Sequence, residues 1–411
     1  MAGCTRRQLL WRVLVPAARP LLMVGVNQVI MMALNLVIIS SMIGAGGLGF
    51  DVLLALRALK VGTTMEAGVS IVLLAIVLDR LSQAAAARSA SQSPPGRPAT
   101  LRSHVLLALA VLVAATALSP FIPVLAKVPK SLTITAAPLW DSGIRWITVS
   151  FFDAIEAGRT WLLLNFLNPV KLFLLHLPWV ATLLLLALAA FRLGGARLAG
   201  LIAALTLACA VFGLWDKVMT TVYLCGVSTL IACAIGIPLG ILSARSRLAD
   251  RIVTVFVDTL QTIPAFVYLI PAVMLFRVGD VAAMIGIVLY ALTPAIRYTN
   301  HGLHQVPAPL IEAASMSGCT RRQLLRKVQL PLALPELLLG INQVIMLALS
   351  MDIIAAMIGT RDLGQEVFSA LASADIGRGL LAGLTVAFIG IIADRLMGAW
   401  SANLRRRFGA A

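Results

Sequence analysis

Residues 311–331 read IEAASMSGCTRRQLLRKVQLP. This is the one long polar, basic run in an otherwise apolar C-terminal half, and hydrophobic segments flank it. Glu312 opens a short helix whose small face, Ala313, Ala314 and Ser315, permits close approach by another protein. Gly318 lets the backbone change direction. Leu324, Leu325 and Val328 are spaced to pack on a bundle, while Arg321, Arg322 and Arg326 face water. Leu330-Pro331 closes the stretch, and Pro331 suits the first turn of a following helix, where its missing N–H costs little. The expectation is a helix–turn–helix ledge parallel to a membrane, suited to dock a soluble partner. The plainer alternative is an ordinary basic loop at the inner surface.

The rest of the chain supplies the membrane. Of its 411 residues 60% are hydrophobic and only 12% charged, against about 25% charged in a soluble domain. A polytopic membrane protein follows. The net charge of +16 is read as topology, because Lys and Arg in short cytoplasmic loops orient helices. No aromatic-basic module accompanies it, so no nucleic-acid partner is expected. Cys4, Cys209, Cys225, Cys233 and Cys319 form no CxxC and read as small core residues. His301 and His304 read as loop residues with no third ligand near them. No metal and no cofactor are expected. Gly44-Ala45-Gly46-Gly47-Leu48-Gly49 spells GxGxxG, but residues 359–364 lose the pattern at the same place in a repeat, so a turn explains it.

That repeat is internal. Residues 3–81 align without gaps to residues 318–396 with about half the positions identical, more than helical periodicity produces. Asn27-Gln28-Val29-Ile30-Met31 matches Asn342-Gln343-Val344-Ile345-Met346, and Asp79-Arg80-Leu81 matches Asp394-Arg395-Leu396. The chain reads as two fused units, the first cut short. Met1 aligns with Met316, so a true start upstream of Met1 is expected; a stop codon immediately upstream in the genome would exclude it.

A spanning helix needs about 20 mostly apolar residues. Ten candidates are 20–43, 66–81, 104–127, 172–191, 198–214, 218–243, 252–276, 281–297, 332–358 and 379–400. Starting with Arg6, Arg7, Arg12 and Arg19 inside, alternate loops collect the basic residues, and both termini fall in the cytoplasm. Arg57, Lys60, Lys127 and Lys130 are exceptions. The fold class is all-α, a polytopic transmembrane bundle. The expected parts are 1–83, the tail of a first core; 84–103, a flexible Pro- and Ser-rich linker; 104–216, accessory helices; 217–400, a complete core; and 401–411, a basic tail. Residues 138–168 show helical spacing of aromatics and suggest an amphipathic helix on the outer face or a connector packed on the bundle.

Glu312-Ala313-Ala314, three residues, Gly318, nine residues, then Val328-Gln329-Leu330-Pro331 resembles the EAA loop of permease subunits of binding-protein-dependent ABC importers. Residues 261–269, Gln305-Val306-Pro307, Asn342-Gln343, residues 347–351 and Asp394-Arg395-Leu396 are similar to the glycine betaine/proline type. The resemblance implies a multi-pass bacterial inner-membrane permease, not an enzyme, importing a small osmolyte such as glycine betaine, proline or choline. It implies as partners a separate ABC ATPase subunit, a periplasmic solute-binding protein, membrane lipid and a second permease chain. Glu312, Ala313, Ala314, Gly318, Arg321, Arg322, Leu330 and Pro331 would couple to the ATPase. Gly3, Arg6 and Arg7 are the first unit's counterparts, without Glu-Ala-Ala. No GxxxxGK[ST] occurs, so the chain does not itself cradle nucleotide phosphates.

Inside the membrane, Asp258, Gln261 and Pro264 interrupt one helix, whose breaks either line a path or simply kink it. Phe266 and Tyr268 offer cation–π faces to a quaternary ammonium, or core packing. With Asn342, Gln343 and Asp352 they make a candidate path. Asp352 is mid-helix where the repeat holds Val37. A charge at that depth faces a cavity or a partner, so it is expected to line the path or pair with a base. Two rivals remain: an ion-gradient transporter, which needs ion ligands at unwound helices, and a membrane-embedded enzyme, which needs clustered acids, histidines or a nucleophile.

Overall fold

A computed structural model describes residues 5–42, 44–58, 60–90, 98–118 and 135–408, and among these every regular element is helical. Four long helices make the centre: Trp215–Arg245, Asp280–His304, Leu330–Ala355 and Ile376–Phe408. Asp280–His304 is the most enclosed, and glycine lets its neighbours reach it. A Cβ at Gly236 would stand 2.5 Å from the Ala295 Cβ, one at Gly240 2.6 Å from the Thr299 Cβ, and one at Gly340 2.6 Å from the Tyr298 Cβ. Gly236 and Gly240 are four residues apart and share one helix face. Such small-residue faces are how membrane helices pack closely where lipid removes the hydrophobic drive. Phe266, Leu269, Ile287, Val344 and Met351 fill the core between them.

Among the described residues six helices are long and apolar enough to cross a membrane, or seven if one bent pair is a single span. That pair is the candidate span 252–276, broken where Pro264 is expected to interrupt it. Arg247–Thr262 ends at Pro264, the chain turns through Ala265–Tyr268, and the arms meet at 106°. Proline removes a helical N–H and pushes the residue before it to extended geometry, here Ile263 at φ −79, ψ 125. Arg247–Thr262 is amphipathic: Val253, Val257 and Leu260 pack on Leu292 and Ile296.

The candidates 172–191 and 198–214 emerge as one element, Trp179–Val211, broken at Gly195 (φ 77, ψ −170). It is a hairpin. Asn403 Nδ2 donates to Leu193 O at 2.8 Å near the ledge end of the bundle, while Cys209 packs with Val218 and Leu363 at the opposite end. Thr182 and Cys209 line one cavity, yet a straight helix would hold them about 40 Å apart.

Three expectations need correction. Asp280–His304 runs past 297, so His301 and His304 lie in its last turn and not in a loop. Gln305 Nε2 stands 2.8 Å from His301 Nε2. Residues 84–90 and 98–103 of the expected linker are helical, as parts of Val61–Ala90 and Pro98–Leu118, and 91–97 lie outside the described residues. Proline at the start of Pro98–Leu118 opens a helix as readily as it breaks one. Residues 401–408 continue Ile376–Phe408 and are no separate tail.

Residues 138–168 form two helices, Ala137–Ser150 and Phe152–Leu162, followed by a wide turn over Leu163–Leu167. Gly62 N donates to Asp141 Oδ1 at 2.7 Å and Thr135 Oγ1 to Glu66 Oε2 at 2.8 Å, which ties this segment to Val61–Ala90. Trp146, Phe151 and Trp161 remain exposed. Leu48–Arg57 and Val61–Ala90 also join the core: Val52 of the first and Ile71 of the second lie in the Phe266–Leu269 cluster, and a Cβ at Gly68 would stand 2.8 Å from Ile270 Cδ1.

Local structure recurs 315 residues apart. Thr5 and Thr320 both close capping boxes with Gln8 and Gln323. Leu48–Arg57 and Leu363–Ser373 begin at matching positions, as do Val61–Ala90 and Ile376–Phe408. Gly44 (φ 98) and Gly359 (φ 83) make the same turn.

Candidate functional site

The ledge forms as its residues require. Pro307 precedes the helix Ala308–Met316, which carries Glu312, Ala313 and Ala314. Glu312 and Ala313 are exposed, and Ala314 is half-buried. Gly318 turns the chain at φ 78, where a side chain would be strained. Gly318 N donates to Ser315 O and Cys319 N to Ala314 O, satisfying the helix's last carbonyls. Thr320 then caps Arg321–Gln323, a wide turn runs over Leu324–Gln329, and Leu330–Ala355 enters the bundle with Pro331 in its first turn. Leu325 and Leu330 pack against Leu303, Ala333 and Leu337. Arg321 and Arg322 face water. Arg245 Nη2 donates to Arg321 O at 3.2 Å, pinning the ledge to the end of Trp215–Arg245. Met316, at its tip, is 91% exposed. The result is a projection of two short helical segments with a small-residue face and no covering element among the described residues.

The first unit's counterpart is partial. Arg6 and Arg7 are exposed beside the Thr5 cap, and Gly3 lies outside the described residues.

The candidate path residues do not gather in one place. Asp258 accepts from Arg297 Nη2 at 2.7 Å on an exposed surface, and Gln261 is exposed on the same helix. Pro264 makes the bend; Phe266 and Tyr268 are buried beside it, and Tyr268 Oη donates to Leu260 O. Asn342 Nδ2 donates to Asp394 Oδ1 at 2.9 Å, bridging Leu330–Ala355 to Ile376–Phe408, while Gln343 is exposed. Asp352, 1% exposed, is at the end of the bundle far from the ledge. It pairs with no base among the described residues. Its neighbours are Asp362 and Thr221, and neither carboxyl oxygen makes a well-formed hydrogen bond. Burial raises the Asp362 carboxyl above its ordinary range.

Sequence reasoning missed the polar group around Asp352. Asp362 caps Leu363–Ser373 by accepting from Gln365 N at 2.8 Å, and Leu363 N donates to Thr221 Oγ1 at 3.1 Å. Glu366, whose side chain is 4% exposed, pairs with Lys217 and, at 2.5 Å, with Arg378 Nε. This ties Leu363–Ser373 to both neighbouring long helices. The available signal was the run of acids 352, 362 and 366 in a chain poor in charge.

All-helical, with six helices long and apolar enough to cross a membrane and an uncovered ledge at one end, the described residues have the architecture of a polytopic membrane protein. The chain belongs to the family described as "Binding-protein-dependent transport system inner membrane component", which matches residues 1–90 and 236–406. It is a multi-pass inner-membrane protein. It is similar to the trimethylamine N-oxide transport system permease protein of Pelagibacter ubique, 39% identical over 418 residues, covering 100% of this chain and 58% of that protein. The glycine betaine/proline betaine transport system permease protein of Escherichia coli is 39% identical over 280 residues, 68% of this chain and 79% of that one. The glycine betaine transport system permease protein of Bacillus subtilis is 40% identical over 268 residues, 64% of this chain and 93% of that one. The chain spans 58% and 63% of the two trimethylamine N-oxide relatives that it matches throughout.

Proposed function

We propose that the chain is the membrane-spanning part of an ATP-driven importer of small methylated or zwitterionic osmolytes, the class containing trimethylamine N-oxide, glycine betaine and proline betaine. The observation that carries this is the exposed ledge turned by Gly318, with Glu312 on its outer face. The chain has no phosphate-cradling loop, so the force comes from a separate ATPase subunit that grips the ledge. A solute-binding protein delivers cargo at the opposite face. Movement of the ledge passes through Leu325 and Leu330 into Leu330–Ala355 and Trp215–Arg245.

The test is uptake of labelled glycine betaine and trimethylamine N-oxide into vesicles holding the full chain, its ATPase partner and its binding protein. Uptake that needs ATP and disappears in Glu312→Lys supports the assignment. Uptake in vesicles without an ATPase, driven by an ion gradient, overturns it in favour of a secondary transporter.

A further inference from the structure

We propose that Asp352, Asp362, Thr360 and Thr221, buried together at the end of the bundle away from the ledge, bind one sodium ion. Asp352 is 1% exposed, and Asp362, Thr360 and Thr221 are each 0% exposed. Asp352 borders Asp362 and Thr221, and Asp362 borders Thr360. Asp352 is in the last turn of Leu330–Ala355. Gly359 (φ 83) then folds the chain back, which sets Thr360 and Asp362 beside Thr221 of Trp215–Arg245. The enclosure is tight: a Cβ at Gly364 would stand 3.0 Å from Asp352 O. The first unit holds Val37, Ala45 and Gly47 at the places of Asp352, Thr360 and Asp362, so it builds no such site.

Four oxygens here lack a hydrogen-bond partner among the described residues: both of Asp352, Oδ2 of Asp362 and Oγ1 of Thr360. Thr221 Oγ1 accepts from Leu363 N and keeps a second lone pair. Buried charges are paired or hold a metal. The nearby bases do not serve this pair, because Lys217 and Arg378 both bond Glu366. Asp216, Arg361 and Asp375 are exposed to water. Asp352, Asp362 and Glu366 set against Lys217 and Arg378 leave one negative charge in surplus. A proton bridging the two aspartates would balance it but engage a single oxygen of Asp352. The other oxygen and the Thr360 hydroxyl would stay unsatisfied, which is costly. Water would bring no charge. A monovalent cation supplies the charge and meets all four oxygens, and an oxygen-only set suits a hard ion. Calcium takes about six to eight oxygens and carries more charge than the surplus. The C-terminal end of Leu330–Ala355 adds the negative pole of its dipole; helix ends beside broken backbone hold sodium in membrane transporters. Enclosed on every side, the ion is a fixed part of the fold that fastens the Gly359 turn and Leu363–Ser373 to Trp215–Arg245, and not a driving ion.

The test is the melting temperature of the full chain, purified in detergent, in sodium chloride against N-methylglucamine chloride, both at about 0.15 M so that screening is equal. Sodium should raise it by about 3 °C or more, with a saturable dependence on sodium concentration. Asp352→Asn and Thr360→Val should each remove most of that shift, while Asp51→Asn in the first unit keeps it. Equal melting of the unaltered chain in the two salts overturns the proposal, and so does a full sodium shift in Asp352→Asn. Stability that ignores sodium but falls as pH rises overturns it in favour of a shared proton. If Asp352→Asn fails to fold, amide exchange in the unaltered chain decides. Sodium should slow exchange about threefold or more over residues 360–366, by suppressing local opening, and leave residues 48–57 unchanged. Identical exchange in both salts overturns the proposal. Neither measurement needs solute or an ATPase, so the outcome is independent of the transport assignment.

Discussion

Two stretches 315 residues apart, identical at about half their positions, stand in different surroundings. Around Thr320, Leu324 and Leu325 are half-buried, with Leu325 set against Leu303 and Leu337. Around Thr5, the matching Leu9 and Leu10 are each 45% exposed. Caps, wide turns and helix starts agree in both, as does the positive-φ glycine at 44 and 359, while Gly47 (φ 105) gives way to Asp362 at φ −111. Short-range sequence therefore sets the shape of each piece, and what stands opposite sets its burial. The far ends diverge in chemistry. Asp352, Thr360, Asp362, Glu366 and Arg378 of the second stretch correspond to Val37, Ala45, Gly47, Asp51 and Thr63 of the first. Asp51 is exposed where Glu366 is buried and doubly paired. One stretch keeps the polar fastening that holds a short helix against the bundle; the other has the same helix without it.

The largest effect should come from the ledge. Gly318→Val forces a branched side chain into left-handed backbone, costing about 1–2 kcal/mol locally, and should lower ATP-driven uptake more than tenfold in reconstituted vesicles. Unchanged uptake would move coupling away from this turn. Next, Glu366→Gln should lower stability by about 1–3 kcal/mol, since hydrogen bonds to charged groups are among the stronger ones. Asp51→Asn should change it by less than about 0.5 kcal/mol, as surface substitutions do. Melting curves of the two purified variants make the comparison, and equal losses would show the two acids to be equivalent after all. Asp352→Val, which installs the first stretch's residue, should raise stability in sodium-free buffer by about 1–2 kcal/mol because it removes a buried carboxyl without good partners. A fall in melting temperature would mean that Asp352 has a stabilising partner. The smallest effect is shared: Thr5→Ala and Thr320→Ala should each cost about 1 kcal/mol or less, visible as faster amide exchange in the first turn. A loss at only one of them would break the local likeness.

The ledge was legible because its determinants are short-range. Gly318, Pro331 and the spacing of Leu325 and Leu330 act over a turn or two. Thr-x-x-Gln at 5–8 and 320–323 is a capping signature that could have been read directly, as could the Gly236/Gly240 pair. Pro264 marked a break, but the 106° angle depends on where Val253 and Val257 find a surface, namely Leu292 and Ile296. The meeting of Asp352 with Asp362 was illegible, because it depends on a turn at Gly359 folding the chain back beside Thr221. The candidate path scattered for the same reason. Asp258 and Asp352 lie on different helices toward opposite ends of the bundle, and polarity inside a greasy segment does not reveal which neighbour it meets.

The glycine faces around Asp280–His304 have a mechanical consequence. At Gly236, Gly240 and Gly340 the missing side chain lets Ala295, Thr299 and Tyr298 of Asp280–His304 press directly onto the neighbouring helix. That face is a bearing on which any change in helix crossing would turn, with Ala295 and Thr299 seated in it. Placing one methyl group on that bearing, at Gly240, would jam it against Thr299 before it changed any polar contact.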